Sequence, residues 1–480
     1  MNPSTRDVLH LGLLLPTVAG LMCILFLFTK STDYSLGELS FPEAAGITWE
    51  RVLGAFPAEM PSDYEDDEAF SNIESADDLR PVDEETFSVN NAFLVSCSLF
   101  VLIGCFGISL LGFGLRIDEP AWNTFLRGGT VLFIAMFSFY LWGFNLCFPG
   151  EHLGIFPRVF FGFPGSMDPV EYGLSGISEW ADLFYIATYA AFMGCLLTLF
   201  GSSGLTTKTS LILAAPLISV FFPLSTSTLW GGGWIDSLGY SLDFAGASLV
   251  HWHVGSVALL IGAVLTWHRK HQSLDPLPLP GILTTGLGTL FYWIGILGIN
   301  AGSTLSAKPD LVASVVQATF YASIAAGVVC AAVGLLFPQT SALRFFLIGL
   351  LAGAVGVSGA ADGYGLLPSI FIGILTGAGV AATLVLFHYL RWADPFAIGA
   401  IHGVGGFIAV LAAWGGTLGS DYGTTLFGQL LLLVTVPFLA LLFTAIILLV
   451  AGATKLLSVE SGEPTEPVKQ PGPPSLPGAS

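Results

Sequence analysis

Long apolar spans recur along this chain and restrict its fold more than any other feature. Runs of about 17–25 apolar residues alternate with short polar segments, and about 20 helical residues cross a hydrocarbon layer. We place eleven spans at residues 91–113, 128–148, 183–203, 208–229, 244–267, 281–301, 312–337, 343–361, 366–390, 397–415 and 424–453. Backbone polar groups in lipid must be paired within their own segment, so each span should be an α-helix. The pattern predicts an all-α polytopic membrane protein.

The composition agrees with this class. Only 10% of the 480 residues are charged, whereas 54% are hydrophobic. A soluble globular domain carries about a quarter charged residues, so a soluble enzyme or a nucleic-acid-binding protein is not expected. The 58 glycines fit closely packed transmembrane helices, whose backbones approach through small residues.

The formal net charge of −19 is concentrated in one segment of the chain. Residues 31–90 carry sixteen Asp or Glu residues, with only Arg51 and Arg80 of opposite sign. Such a segment is typical of a solvated, partly disordered loop, and a cation-concentrating antechamber is the sharper alternative. The six cysteines lie in or beside apolar runs without metal-site spacing, so we expect no disulfide framework, no metal and no cofactor.

Four segments follow from these patterns. Residues 1–30 contain an apolar run that predicts either a signal anchor, which would add a further N-terminal helix, or a cleaved signal peptide. Residues 31–90 form the acidic segment, and residues 91–455 form the membrane domain. Residues 456–480 are rich in proline and predict a disordered tail.

Basic residues predict the orientation of the spans. They concentrate in alternate loops, which the positive-inside rule assigns to the cytoplasm. These residues are Arg116, Arg127, Lys208, Arg269, Lys270, Arg344, Arg391 and Lys455. The acidic segment is then extracytoplasmic and the C-terminus cytoplasmic. We predict a multi-pass protein of the plasma membrane, which would be the inner membrane in a Gram-negative cell.

Two related stretches carry the strongest functional signal. DFAGASLVH at residues 243–251 and DPFAIGAIH at residues 394–402 each place a histidine eight positions after an aspartate. Eight helical residues span about 12 Å, so His251 and His402 should lie near the middle of the membrane. An intramembrane histidine is expensive, and it suggests function more strongly than packing when it occurs twice at matched depth. The aspartates could be helix caps.

These two stretches also predict the architecture. They open the fifth and tenth spans, which cross the membrane in opposite directions. The chain is therefore expected to be an inverted 5+5 repeat plus a final helix, with its site at the repeat interface near the midplane. His253 lies about 200° around the helix from His251, so we assign it to packing.

The chain resembles the ammonium transporter (Amt/Rh) family in four motifs. DFAGASLVH (243–251) is similar to the family's fifth-helix signature, and HGVGG (402–406) to the second half of its twin-histidine pore. WGGG (230–233) resembles the outer-vestibule tryptophan motif, and NAGS (300–303) the vestibule serine motif. The resemblance implies an ammonium and methylammonium transporter, not an enzyme. It also implies a homotrimer in membrane lipid, with one pore through each subunit.

The resemblance assigns roles to individual side chains. His251 and His402 would form the pore relay through which ammonia passes, usually with net charge movement. Trp230, Ser303 and two tyrosines (Tyr185 and Tyr189) would form the outer site that binds ammonium before its deprotonation. Trp230 can hold a cation by its π face, and the Ser303 hydroxyl can accept a hydrogen bond from ammonium. Asp243 would orient the vestibule, and Asp394 is its counterpart in the second half.

One departure keeps other functions open. Ile299 stands where the family usually carries the second of two stacked phenylalanines, with Tyr189 at the first. An isoleucine excludes water but lacks an aromatic face, so an electroneutral ammonia or carbon dioxide channel, as in the Rh branch, is an alternative. An ammonium sensor with little transport is another. Control by a cytosolic partner is an open question.

Overall fold

The computed structural model describes residues 83–115, 121–149, 152–153, 156–157, 176–201, 205–268, 279–336, 342–416 and 424–454. The predicted N-terminal helix, the acidic segment up to residue 82 and the C-terminal tail lie outside the described residues. Eleven helices follow one another within the described part, each at a predicted span. They are α1 (Glu84–Leu115), α2 (Ala121–Ser138, Phe139–Gly143 and Phe144–Cys147), α3 (Glu179–Gly201), α4 (Thr207–Pro216, Leu217–Phe221 and Phe222–Leu229), α5 (Ala247–Trp252 and His253–His268), α6 (Leu279–Gly302), α7 (Pro309–Leu335), α8 (Ala342–Gly356), α9 (Leu366–Leu390), α10 (Gly399–Val404 and Gly405–Gly416) and α11 (Leu426–Ala453).

The lengths of these helices confirm the predicted fold class. In the described part of the chain, nine helices are long and apolar enough to cross a membrane. The two remaining helices, α8 and α10, are apolar but shorter. Single π-helical turns interrupt α2 and α4 and open both α5 and α10. The protein is therefore an all-α multi-pass membrane protein, as the apolar spans predict.

The first helix begins earlier than the hydropathy pattern indicates. It starts at Glu84, inside the predicted acidic segment, because Asp83 caps it. The backbone N–H and the hydroxyl of Thr86 donate to the two carboxylate oxygens of Asp83 at 2.9 and 2.8 Å. These hydrogen bonds lower the pKa of Asp83, as expected for a carboxylate at a helix N-terminus.

The two halves of the domain meet in equivalent pairs of helices. The first helix of each half packs against the other (α1 against α6), and the fifth helices do the same (α5 against α10). Glycines permit both close approaches. A Cβ on Gly104 would lie 2.6 Å from the Cα of Gly295, and a Cβ on Gly255 would lie 2.2 Å from the backbone nitrogen of Gly403. Because α5 and α10 carry the two histidines, the second crossing positions the candidate site.

A small hairpin is the one pair of β-strands among the described residues. Strand β1 (His152–Leu153) pairs antiparallel with β2 (Phe156–Pro157), in the segment between the predicted spans 128–148 and 183–203. The His152 ring nitrogen Nε2 lies 2.9 Å from the Ser227 hydroxyl near the end of α4. This contact fastens the hairpin over the end of the helix bundle.

Candidate transport site

The two aspartates occupy equivalent positions at the starts of α5 and α10. Asp243 accepts hydrogen bonds from the backbone N–H groups five and six residues later, both at 3.0 Å, and from the Ser248 hydroxyl at 2.7 Å. Asp394 likewise accepts from the N–H groups five and six residues later, Gly399 at 3.2 Å and Ala400 at 2.9 Å. Each carboxylate therefore caps the helix that carries one histidine.

Desolvation raises the pKa of both aspartates. Burial raises the pKa of Asp243, and the hydrogen bonds from Ser248 oppose this effect. Desolvation also raises the pKa of Asp394, to about 6, against the opposing backbone N–H groups and the nearby Arg344 guanidinium. The two caps are thus more readily protonated than exposed carboxylates.

The backbone after each aspartate reverses in the same way. Gly246, three residues after Asp243, has φ +76°, and Ala397, three residues after Asp394, has φ +56°. This left-handed conformation aims the following N–H groups back at the carboxylate. Each helix then begins with a π-helical turn that contains its histidine, Ala247–Trp252 in α5 and Gly399–Val404 in α10. The repeat found in the sequence is therefore a repeated backbone structure.

The two histidines meet at the centre of the domain. Their Nδ1 atoms lie 3.0 Å apart, and the rings are stacked with centroids 5.0 Å apart and an interplanar angle of 28°. Both side chains are completely buried. An Nδ1–Nδ1 hydrogen bond requires that one ring donates and the other accepts. The Nε2 atom of His251 has no hydrogen-bond partner among the described residues, so it is free to meet a polar molecule.

A third polar side chain, which the sequence analysis missed, joins this pair. The hydroxyl of Tyr292 in α6 is hydrogen-bonded to Nε2 of His402. Tyr292 is completely buried, and its ring makes an edge contact with Phe192 at 5.5 Å. Tyr292 precedes Ile299 by two helical turns, so both lie on one face of α6. The sequence alone does not show that this face of α6 meets His402.

The predicted outer residues also come together. The ring of Trp230 lies edge-on to Tyr189 at 6.2 Å, and its indole Nε1 donates to the backbone carbonyl of Asp243 at 3.1 Å. The Tyr189 and Ser303 hydroxyls are 2.7 Å apart. An indole face, a phenol and a serine hydroxyl therefore converge near the outer end of α6. These groups suit a small cation that also donates hydrogen bonds.

The backbone carbonyl of Ile299 organises the hydroxyls of this outer cluster. It accepts hydrogen bonds from Tyr185 at 2.6 Å, from Ser303 at 2.9 Å and from Tyr189 at 3.2 Å. Because their protons are engaged within the cluster, the hydroxyl oxygens are left with lone pairs that can accept. The Ile299 side chain itself is completely buried.

A cavity of about 20 Å³ lies on the predicted inner side of the histidines. Its lining includes Thr285, Thr289, Arg344 and Ile401, the residue next to His402. The Thr285 hydroxyl has no hydrogen-bond partner among the described residues. Apart from these polar residues, the lining of the cavity is apolar.

His253 does not join the site. It is fully buried, but its ring lies against Phe221 of α4 with centroids 4.7 Å apart, on the other side of α5 from His402. This placement agrees with the predicted packing role. Within the described residues, no three His, Cys, Asp or Glu side chains are grouped to hold a metal ion.

The chain is similar in sequence to known ammonium transporters. The model of the Ammonium Transporter Family matches residues 92–469. An ammonium transporter of Aquifex aeolicus is 31% identical over 400 residues, which cover 78% of this chain and 89% of the relative. An ammonium transporter of Bacillus subtilis is 26% identical over 343 residues, 70% of this chain and 81% of the relative.

Solved structures share the fold. Mep2 of Saccharomyces cerevisiae superimposes with a TM-score of 0.63 at 22% identity, covering 77% of this chain and 86% of Mep2. A structure described as a sensor Amt protein gives a TM-score of 0.65 at 21% identity, over 78% of this chain and 96% of that one. The relatives are transporters, not enzymes. The chain belongs to the ammonium transporter family.

Proposed function

We propose that the chain takes up ammonium at an outer site, removes its proton and conducts ammonia between His251 and His402 with net charge movement. The observation that carries the proposal is the buried histidine pair, held by two equivalent capped helices. Membership of the ammonium transporter family supports the ammonium substrate, and methylammonium, a close analogue, is its expected mimic.

Desolvation explains why the proton should stay behind. An isolated cation in a medium of low dielectric constant is penalised by many kcal/mol, whereas a cation–π contact returns about 0.5–2 kcal/mol. Trp230 and Ser303 can therefore hold ammonium at the outer site, but they cannot stabilise it through the apolar centre. Ammonia is neutral and needs one hydrogen-bond partner there. The unpaired Nε2 of His251 supplies that partner.

The outer cluster is suited to the ion and the inner pair to the neutral molecule. Tyr185, Tyr189 and Ser303 offer hydroxyl lone pairs beside the face of Trp230, which complements four N–H donors and a positive charge. Asp243 holds the start of α5, its backbone carbonyl accepts from Trp230, and we propose its carboxylate as the acceptor of the released proton. Asp394 holds α10 in the same way at the other end.

The protein's setting is part of the proposal. The basic loops favour a plasma-membrane orientation in which the outer cluster faces away from the cytoplasm. A homotrimer with a pore in each subunit is the assembly that we expect. Ile299, which lacks an aromatic face, is the observation that favours the electroneutral channel as the second candidate function.

Purified protein in liposomes provides the test. Ammonium and potassium pulses would be applied while current and internal pH are recorded, in wild type and in the His251→Leu/His402→Leu variant. The leucines fill the space of the imidazoles without polar atoms. Size-exclusion chromatography then checks that the variant is correctly folded.

Three outcomes separate the candidate functions. A saturable ammonium current, absent with potassium and lost in the double variant, supports charge-coupled transport. Internal alkalinisation without current indicates the electroneutral channel. Ammonium binding with neither signal indicates a sensor.

A further inference from the structure

The Tyr292 hydroxyl is a polar group in an otherwise apolar segment of α6. Its ring is completely buried against Phe192, so a phenylalanine would fill the same space. Its hydroxyl makes one hydrogen bond among the described residues, to Nε2 of His402. The roles derived above for the histidine pair do not use this contact.

The direction of this hydrogen bond follows from burial. If Tyr292 accepted a proton from His402, its own hydroxyl proton would be buried without an acceptor. An unpaired buried donor costs about 1–3 kcal/mol. If Tyr292 donates, the hydroxyl proton and the Nε2 lone pair of His402 are both satisfied. The Tyr292 hydroxyl is therefore the donor.

That direction determines both histidine tautomers. A neutral imidazole carries one N–H. Since Nε2 of His402 accepts, its proton is on Nδ1, where it donates to Nδ1 of His251 across 3.0 Å. His251 must then carry its proton on Nε2, the atom that has no partner among the described residues. The chain of hydrogen bonds begins at Tyr292 and ends in an unpaired N–H.

We infer that Tyr292 is a positioning residue that locks the histidine pair so that His251 presents an N–H donor to the substrate. The inference rests on the proposed function and names the species that the site selects. Ammonia has a lone pair and can accept from this N–H. Ammonium and potassium have no lone pair to offer and are repelled by the positive end of the N–H dipole. The lock therefore favours the neutral molecule over either cation.

Nitrogen NMR of histidine-labelled protein in bilayers tests the lock without any transport measurement. The two rings would be assigned by single His251→Asn and His402→Asn variants. We expect wild type to show His402 protonated on Nδ1 and His251 on Nε2. In Tyr292→Phe, which removes only the hydroxyl, each ring should show a mixture of tautomers. Phe192→Leu, which disturbs the packing of the Tyr292 ring but keeps its hydroxyl, should retain the wild-type tautomers.

Transport selectivity is the second readout. In Tyr292→Phe, the potassium signal relative to the ammonium current should rise at least about ten-fold above the wild-type background, because the pair can also present a bare nitrogen that binds cations. Phe192→Leu should keep the wild-type ratio. His402 protonated on Nε2 in wild type would overturn the inference, as would unchanged tautomers and unchanged selectivity in Tyr292→Phe. A wild type that shows the expected tautomers but moves no ammonium would refute the proposed function and leave the tautomer lock standing.

Discussion

Trp230 connects the outer cluster to the start of α5. Its indole N–H is engaged by the backbone carbonyl of Asp243, so the ring is held in one orientation beside Tyr189 and Ser303. A ring held in this way presents its face to a cation without first losing side-chain entropy. At the scale of single residues, the proposed outer site would contribute pre-organised acceptors and an aromatic face.

Replacement of Trp230 should weaken ammonium binding. Trp230→Leu removes the π face, which is worth about 0.5–2 kcal/mol, so the ammonium concentration for half-maximal current should rise by about 2- to 30-fold. Trp230→Phe keeps an aromatic face and should give a smaller rise. Current measured over a range of ammonium concentrations gives both values. An unchanged half-maximal concentration in Trp230→Leu would remove Trp230 from the outer site.

At this scale the sequence predicts the meeting of residues that repeat, and it does not predict the contact of a residue that stands alone. His251 and His402 could be found because each follows an aspartate by the same number of residues. Tyr292 has no counterpart in a repeat, and one tyrosine in an apolar run carries no signal until its neighbour across the helices is known. The hydrogen bonds to the backbone carbonyl of Ile299 could not be predicted either, since a sequence does not show which backbone groups the hydroxyls contact.

The capped turns before α5 and α10 are the elements on which the site depends. In each turn a carboxylate accepts two backbone N–H groups, and a residue with positive φ makes this possible. The first turn uses glycine at that position and the second uses alanine. A Cβ makes the left-handed region sterically unfavourable for an L-residue. Glycine has no Cβ and avoids this cost.

The two turns should respond oppositely to exchange of glycine and alanine. Ala397→Gly should raise thermal stability slightly, by less than about 1 kcal/mol, because the greater freedom of glycine in the unfolded chain offsets part of the relief. Gly246→Ala should destabilise the protein by more than about 1 kcal/mol. Besides the unfavourable φ, its new Cβ would lie 2.8 Å from a methyl group of Val250. Thermal unfolding in detergent would compare the two variants. Equal changes in stability would show that φ does not govern these turns.

The raised pKa of Asp394 makes a prediction for pH. In the folded protein this pKa is about 6, above the value of about 3.9 in an unfolded chain. The folded state therefore binds more protons between these values, so the contribution of Asp394 to stability falls as pH rises from about 4 to about 6. The total change is at most about 3 kcal/mol. Melting curves of wild type and Asp394→Asn at several pH values in this range would measure this change. The stability of the variant should fall less steeply with rising pH than that of wild type. Equal dependence of stability on pH in the two proteins would contradict the raised pKa of Asp394.

Helix positions were predictable because lipid imposes a length and a composition on every span. Helix ends and irregular turns were less so. The start of α1 at Glu84 depends on the cap by Asp83, which hydropathy does not detect. The π-helical turns at both histidines arise where caps and close glycine contacts override the regular helical period. Regular periodicity in the sequence does not report such local changes.

The whole molecule combines two equivalent halves into one central site. Equivalent helices pair across the repeat, and the α5–α10 crossing brings the two histidines within hydrogen-bonding distance. The site therefore exists only when both halves have folded and docked. A large outward-facing apolar surface remains around the bundle, suited to lipid and to other subunits.

The expected assembly can be measured directly. Native mass spectrometry of protein released from detergent should give three times the 50.6 kDa of one chain. Homo-oligomers commonly have closed symmetry, and a trimer is the assembly that we propose from the resemblance to the family. A monomer that retains full transport activity in liposomes would contradict the prediction.

The measurement that tests the central claim most directly is the charge moved per molecule of substrate. Radiolabelled methylammonium uptake and integrated current would be recorded on the same liposomes under voltage clamp. If the proton is separated from the substrate at the outer site and also crosses, wild type should move about one charge per methylammonium, and His251→Leu/His402→Leu should lose both signals together. If the double variant kept the wild-type uptake and the wild-type charge per methylammonium, the substrate would cross by a route that does not include the histidine pair.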